Sequence, residues 1–120
     1  MENIKLFDSE LKLMDILWSN EPISARDLSQ IAAKSLGWNK NTTYTVIKKL
    51  IGKKYIRRSE PNFICTSTIR EEDVAASETK NLIEKLYEGS RKAFFAAFIQ
   101  EGNLTAEELD DIRVNGLQKI

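Results

Sequence analysis

Residues 38–70 read WNKNTTYTVIKKLIGKKYIRRSEPNFICTSTIR, and this stretch decides the fold. Its first half repeats apolar residues at helical spacing, which predicts a helix that is capped by Asn39 or Asn41 and ends near Lys53. The apolar stripe consists of Val46, Ile47, Leu50 and Ile51. The other side carries Asn41, Thr42, Thr45, Lys48 and Lys49. These polar residue types are the ones that reach base edges and phosphates in a major groove, although an ordinary surface helix shows the same pattern.

The second half of the stretch favours strands, because it is rich in β-branched and aromatic residues. Tyr55–Ser59 and Asn62–Ser67 are two such runs, and they are joined across Glu60-Pro61. Two short runs separated by turn residues predict a β-hairpin. We expect the basic residues of this hairpin to contact backbone phosphate.

Two shorter helices are predicted before this stretch. The first covers Asp8–Ser19, where apolar residues recur at helical spacing, and either Asp8 or Ser9 can cap it. The second begins at Ser24 and ends at Gly37. Three short helices followed by a hairpin with a basic strand is the order of a winged helix-turn-helix domain. The predicted fold class is therefore mainly α with a small β-hairpin.

The net charge of zero hides a division of charge between two parts of the chain. Residues 1–70 hold twelve Lys or Arg and seven Asp or Glu, whereas residues 71–120 hold six and eleven. No acidic residue occurs between Lys34 and Arg58. This segment contains Lys34, Lys40, Lys48, Lys49, Lys53, Lys54, Arg57 and Arg58. Such a patch indicates contact with nucleic-acid phosphates, while a solvated surface without a partner gives the same composition.

The acidic part of the chain is predicted to be helical. One helix begins near Glu71, bends near Gly89-Ser90 and continues towards Gln100, and a last helix runs from Thr105 to about Gln118. Together the two helices carry more apolar surface than one small neighbour covers, which predicts pairing with a second copy. The residues expected at this homodimer interface are Leu82, Leu86, Phe94, Phe95, Phe98, Leu109 and Ile112. We therefore expect a winged-helix DNA-binding domain over residues 1–70 and a helical dimerisation domain over residues 71–120.

Several function classes are disfavoured by composition. Histidine is absent, the five glycines are scattered singly, and Cys65 is the one cysteine. The sequence thus lacks the commonest general base and a Gly-rich phosphate loop, and we predict neither an enzyme nor a bound cofactor or metal. Cys65 is interpreted as a small packing residue. No apolar run is long enough for a bilayer, so we expect no membrane partner and a cytoplasmic location.

Specific residues also resemble a known family. The similarity starts at Phe7-Asp8-Ser9-Glu10-Leu11, continues through Trp38–Val46 and Lys49-Leu50-Ile51, and returns over Phe98–Leu109. These segments resemble the BlaI/MecI/CopY family of penicillinase-type repressors. The resemblance implies a homodimer whose winged helices bind the half-sites of an inverted repeat in double-stranded DNA.

The same resemblance assigns site residues. Thr42 and Thr45 match the threonines of the family's recognition helix and inherit a role in DNA contact. Lys49 stands where the family usually has Arg, and Lys54 replaces a glycine that usually precedes the wing. From their place in the basic segment, and not from the resemblance, Lys34, Lys40, Lys53 and Lys54 are expected to contact the DNA backbone. The DNA-binding residues that we predict are Lys40, Asn41, Thr42, Tyr44, Thr45, Lys48, Lys49, Arg57 and Arg58.

Two departures from the family concern regulation. Members that respond to β-lactams share an Asn-Phe cleavage site, and the matching bond here is Ala97-Phe98, which leaves open whether a regulatory protease acts on this chain. Copper-responsive members carry a cysteine-rich motif, whereas this chain has no cysteine after Cys65. The sequence therefore predicts a sequence-specific, homodimeric DNA-binding transcriptional repressor on an inverted-repeat operator. The alternative is a winged-helix module for protein interaction that lacks sequence-specific DNA binding.

Overall fold

Six helices and a three-stranded antiparallel sheet account for the regular structure of residues 4–102 and 105–115, which the computed structural model describes. The elements are α1 (Asp8–Asn20), β1 (Ile23–Ser24), α2 (Ala25–Leu36), α3 (Lys40–Gly52), β2 (Ile56–Ser59), β3 (Ile64–Ser67), α4 (Glu71–Tyr87), α5 (Arg91–Gln100) and α6 (Ala106–Asn115). The predicted fold class, mainly α with a small β-hairpin, is confirmed. No helix within these residues has the length and apolar character that crossing a membrane requires.

The ends of the first three helices follow from local hydrogen bonds. Ser24 caps α2, with its Oγ accepting from the N–H of Asp27 at 3.0 Å. Asn39 caps α3 as predicted, with its Oδ1 accepting from the N–H of Thr42 at 2.8 Å. The caps predicted for α1 are wrong, because Phe7 is the cap residue and its N–H donates to the Glu10 carboxylate at 2.8 Å. The Glu10 carboxylate, one turn into the helix, thus satisfies the N–H of the cap residue itself.

The sheet contains one strand more than the sequence predicts. Its order is β1-β3-β2, so the second strand of the hairpin is the central one. β1 has two residues, with Ile23 opposite Cys65 and Ser24 opposite Ile64. A two-residue strand is too short to show alternation, and Ser24 carries the stronger signal of a helix cap.

A single apolar core joins α1, α2, α3 and the sheet. Its buried members are Leu13, Met14, Leu17, Ala25, Leu28, Ala32, Val46, Ile47, Leu50, Ile56 and Cys65. Trp18 and Trp38 pack against this core, and the indole Nε1 of Trp18 donates to the Ile69 carbonyl at 3.0 Å. Cys65 is completely buried, as expected of a packing residue, and burial raises the pKa of its thiol to about 11.

The chain divides into two compact units, Met1–Glu78 and Thr79–Ile120. The domain boundary predicted after residue 70 stays a prediction. In the second unit, the long helix expected to bend near Gly89 is instead interrupted. Glu88 and Gly89 take positive φ values of 51° and 82°, and the Ser90 Oγ then caps α5 by accepting from the N–H of Ala93. Left-handed backbone cannot continue a helix, so the expected bend becomes a break.

The last helix begins at the predicted place, with a capping box formed by Thr105 and Glu108. The Thr105 Oγ1 accepts from the N–H of Glu108 at 3.0 Å, and the Glu108 carboxylate accepts from the N–H of Thr105 at 3.1 Å. The helix is described as far as Asn115. Its predicted extension to Gln118 lies outside the described residues.

Candidate nucleic-acid interface

Helix α3 has two chemically distinct sides. Thr43, Val46, Ile47 and Leu50 are buried and fasten it to the core. Its exposed residues include Lys40, Asn41, Thr42, Thr45, Lys48 and Lys49. A helix buried along one side presents a continuous polar face on the other, since positions three and four residues apart lie together. The six exposed residues predicted to bind DNA on this helix therefore lie on one surface.

Thr42 and Thr43 show how sharp the division is. Thr43 is fully buried and its Oγ1 donates to the carbonyl of Asn39, whereas Thr42 is exposed. Further along the exposed face, the Thr45 Oγ1 donates to the carbonyl of Asn41 at 2.8 Å. Because this bond engages the hydroxyl within the helix, the methyl group is the part of Thr45 best suited to an outside contact. A methyl group recognises the methyl group of thymine.

Four side chains connect α3 to the β2–β3 hairpin, and we call them the aromatic bridge: Lys40, Tyr44, Phe63 and Arg58. The Tyr44 and Phe63 rings meet edge to face, with centroids 6.0 Å apart. The Lys40 Nζ lies 5.7 Å from the centroid of the Tyr44 ring, and the Arg58 guanidinium carbon lies 3.6 Å from that of Phe63. The bridge therefore holds a cation at each end of a pair of aromatic rings that meet edge to face.

Sequence reasoning missed Phe63 and placed Tyr44 among the DNA-binding residues without a partner inside the protein. The structure places Tyr44 half-buried against Phe63, so part of its ring packs inside the protein. The available signal was an aromatic residue at the end of the turn that begins at Glu60-Pro61. An aromatic side chain there is well placed to pack on whichever helix lies beside the hairpin.

Arg57 and Arg58 are both exposed, but they occupy opposite faces of the hairpin. Arg58 is paired with Cys65 and Arg57 with Thr66, and side chains of paired residues project to the same side of a sheet. Because Cys65 is buried, Arg58 lies on the side that faces the helices. Its Nε–H also donates to the Glu60 carboxylate, and this hydrogen bond lowers the pKa of Glu60 below its ordinary value.

Two lysines of the basic segment have distinctive surroundings. The Lys53 Nζ donates to the buried carboxylate of Glu10 at 2.7 Å, so this lysine has a partner inside the protein in addition to its predicted role at the DNA backbone. Lys54 is exposed and has a φ of 67°. Glycine adopts this left-handed conformation without steric cost, which gives a physical reason for the glycine usual at this position. Lys34 is exposed near the end of α2.

The second unit exposes large apolar side chains. Among the predicted interface residues, Leu82, Leu86, Phe95, Phe98 and Ile112 are exposed, and Phe94 and Leu109 are half-buried. Phe94 is central to an aromatic group, with ring centroids 5.5 Å from Tyr87, 5.3 Å from Phe95 and 6.3 Å from Phe98. Ile99 and Val114 are further exposed apolar residues that the sequence did not single out.

Two other features bear on chemistry. The Ala97-Phe98 bond lies inside α5, where a protease gains access only if the helix opens locally.

No group of three or more His, Cys, Asp or Glu side chains that could hold a metal ion occurs within the part of the chain that the structure describes.

Comparison with known proteins gives a consistent result. The model of a family described as "Penicillinase repressor" matches residues 6–115. The methicillin resistance regulatory protein MecI of Staphylococcus aureus (strain N315) is 26% identical over 111 residues, which cover 91% of this chain and 90% of MecI. The penicillinase repressor of Bacillus licheniformis is 22% identical over 110 residues, which cover 90% of this chain and 86% of that protein.

Two solved structures share the fold. One is the solution structure of the DNA-binding domain of the repressor BlaI, with a TM-score of 0.55. The other is monomeric BlaI of Bacillus licheniformis in complex with the blaP half-operator, with a TM-score of 0.52. Each is 24% identical in sequence, and each match covers 60% of this chain and 90% of the other. The predicted winged-helix fold is thereby confirmed.

Proposed function

This chain belongs to the penicillinase repressor family, and from that membership we propose that it is a sequence-specific DNA-binding transcriptional repressor that acts as a homodimer. The observation that carries the proposal is the outer side of α3. Its inner side is occupied by the core, while its exposed side gathers amide, hydroxyl, methyl and ammonium groups on one surface. These groups match the donors, acceptors and methyl groups in a major groove.

On this surface, Asn41, Thr42, Thr45 and Lys48 are the residues that we propose to read base edges. Asn pairs with adenine, the threonine methyl groups contact thymine, and Lys reaches guanine. Lys49 supplies a charge to phosphate, without the two parallel hydrogen bonds that the family's usual Arg provides. The result is a helix that both recognises sequence and is held against the backbone.

The wing and the start of α3 supply further phosphate contacts. Arg57 and Arg58 on β2, and Lys40 in the first turn of α3, are exposed cations that flank the reading face. Phosphate contacts fix the register of a protein on DNA but carry no sequence information directly. Tyr44 contributes the exposed part of its ring to the sugar-phosphate backbone or to a thymine methyl group.

Two copies of the chain would pair through the apolar side chains of the second unit. Solvent-exposed leucines and phenylalanines at this density favour association, and a two-fold dimer matches an inverted repeat. The two recognition helices would then lie about 34 Å apart, one turn of DNA. A repressor that covers its operator requires no catalytic group, so we infer that the chain is not an enzyme and acts in the cytoplasm beside DNA.

The decisive experiment is selection of DNA fragments by the purified full chain, followed by mobility-shift titration of the selected duplex at several salt concentrations. We expect an enriched inverted repeat and an affinity that falls steeply with salt, because neutralising about six to ten phosphates releases their counterions. Equal binding to random duplex, or binding insensitive to salt, would contradict the proposal.

A charge-reversal pair tests the assigned surface. Changing Lys48 and Lys49 together to Glu should abolish operator binding in a dimer that is still folded. The matched control changes Lys12 and Lys80 to Glu, because both are exposed on other helices and the total charge alters equally. Full binding by the Lys48 and Lys49 variant would favour a winged helix used only for protein interaction.

A further inference from the structure

Glu60 is the acidic residue nearest in sequence to Arg57 and Arg58, and it is hydrogen-bonded to Arg58. Glu60 lies in the turn after β2, and its Oε2 accepts a hydrogen bond from the Nε–H of Arg58. Both side chains are substantially exposed, at 47% for Arg58 and 59% for Glu60. The pair therefore forms at the surface of the wing, where the partner proposed for Arg58 is a DNA phosphate.

The position of Arg58 is fixed by a second contact. Its guanidinium carbon lies 3.6 Å from the centroid of the Phe63 ring, which in turn meets Tyr44 of α3 edge to face. A guanidinium stacked on an aromatic face keeps its N–H groups directed outward in the plane of the group. Arg58 is thus held on the side of the hairpin that adjoins α3. The Glu60 carboxylate occupies the Nε–H donor of its guanidinium group.

A carboxylate and a phosphate compete for the same donors. Arginine binds either group through N–H donors arranged in a fork, and the hydrogen bonds to both are charge-assisted. The Glu60 side chain is ionised at neutral pH, because the ordinary pKa of a glutamate lies well below 7. The hydrogen bond from Arg58 lowers the pKa of this carboxyl further. Its negative charge also repels an approaching phosphate.

We propose that Glu60 is an intramolecular competitor of DNA for Arg58, and so sets how much the wing contributes to affinity. The proposal rests on the DNA-binding function given above. On binding, Arg58 keeps its stack on Phe63 and exchanges the carboxylate for a phosphate oxygen. Arg57 projects from the opposite face of the hairpin and forms no salt bridge among the described residues.

Removing the carboxylate should strengthen binding. The variant Glu60→Gln keeps the size of the side chain but removes its charge, and we expect its affinity for duplex DNA to rise about fivefold. The gain should be similar for operator and random duplex, because phosphate contacts do not depend on sequence. The slope of affinity against salt should steepen by up to about one counterion.

A double-mutant cycle separates competition for Arg58 from a general effect of negative charge. The cycle compares wild type, Glu60→Gln, Arg58→Gln and the variant with both changes in mobility-shift titrations of the full chain. We expect the gain from Glu60→Gln to disappear when Arg58 is already Gln. An equal gain in both backgrounds, or no gain in wild type, would overturn the proposal.

A second ion pair supplies the matched control. Arg70 and Asp73 form an exposed arginine–carboxylate pair at the start of α4, with the Arg70 Nη2 3.1 Å from the Asp73 Oδ1. Asp73→Asn also removes one negative charge, and it should leave DNA affinity unchanged. Thermal melting of every variant checks that the fold is retained. If wild type binds no duplex at all, the proposed function fails; if wild type binds and the cycle shows no coupling, only the role of Glu60 fails.

Discussion

Glu10 and Lys53 form a salt bridge within the first unit, with the Glu10 Oε1 2.7 Å from the Lys53 Nζ. The Glu10 side chain is almost completely buried, and the same oxygen accepts the N–H of Phe7. Its other oxygen, Oε2, is buried without a hydrogen-bond partner among the described residues. This salt bridge therefore links the start of α1 to the residue that follows α3, the helix proposed to read DNA.

Removing the lysine from this pair should destabilise the fold. Lys53→Met leaves a buried carboxylate without its counter-charge, and we expect the free energy of unfolding to fall by about 3 kcal/mol. Lys54→Met is the matched control, because Lys54 is the exposed neighbour and should change stability by less than about 0.5 kcal/mol. Urea denaturation measures both, and equal midpoints for the two variants would contradict this role of Lys53.

The backbone conformation at Lys54 predicts that a substitution at this residue can stabilise the fold. Its φ of 67° places a side chain in the left-handed region, where a residue with a Cβ costs about 1 kcal/mol or more relative to glycine. Lys54→Gly should therefore raise the free energy of unfolding by about 1 kcal/mol. Lys54→Ala removes the same charge but keeps the Cβ, so it serves as the control. A glycine variant no more stable than the alanine variant would refute the explanation.

The hydroxyl and methyl groups of Thr45 should have separable roles in DNA binding. Thr45→Val keeps a methyl group outside the helix and loses the bond to the Asn41 carbonyl, whereas Thr45→Ser keeps the hydroxyl and loses the methyl group. We expect Ser to weaken binding to the selected operator about fivefold and to relax preference at one base pair, while Val binds as wild type does. The reverse order in a mobility-shift titration would assign the contact to the hydroxyl.

The buried thiol predicts a dependence of stability on pH. Burial raises the pKa of Cys65 from 9.0 to about 11, so between these values the unfolded chain loses a proton that the folded chain retains. The contribution of this thiol to the free energy of unfolding is fully present below pH 9.0, and it is lost as pH rises towards 11. The difference in unfolding free energy between wild type and Cys65→Ala should therefore narrow over that range. A constant difference in urea denaturation would count against the raised pKa.

The exposed side chains of the second unit predict a change of oligomeric state. Replacing Leu86 and Phe95 by Asp places two charges on the apolar surface, and sedimentation should give the monomer mass of 13.7 kDa. Lys92→Asp alters an exposed residue of the same unit that is already charged, and it should leave the dimer intact. A dimer in the double variant would show that pairing uses another surface.

The sequence predicts the first unit well because periodicity and caps act locally. Ser24, Gly37 and Asn39 set helix ends through hydrogen bonds and φ values that depend on near neighbours. The sequence did not identify Phe7 as the cap of α1, because that role depends on the Glu10 carboxylate in the following turn. Contacts between residues far apart in the sequence could not be predicted. Residue spacing indicates neither the pair of Lys53 with Glu10 nor the pair of Tyr44 with Phe63.

The candidate site shows the same limit. Helical spacing identifies the exposed face of α3, but the different positions of Arg57 and Arg58 depend on the register of β2 against β3. Shifting a strand by one residue exchanges its two faces, and short runs such as these do not fix the register by pattern alone. The role of Glu60 follows from that register and from the turn, so it becomes visible only in three dimensions.

The adjacent threonines of α3 have a consequence for evolution. Thr43 belongs to the packed interior, whereas Thr42 belongs to the surface proposed to face DNA. A substitution at Asn41, Thr42 or Thr45 can thus alter which operator is bound without a compensating change inside the domain. Duplicated copies of such a gene can acquire new regulatory targets one surface residue at a time while the domain stays folded throughout.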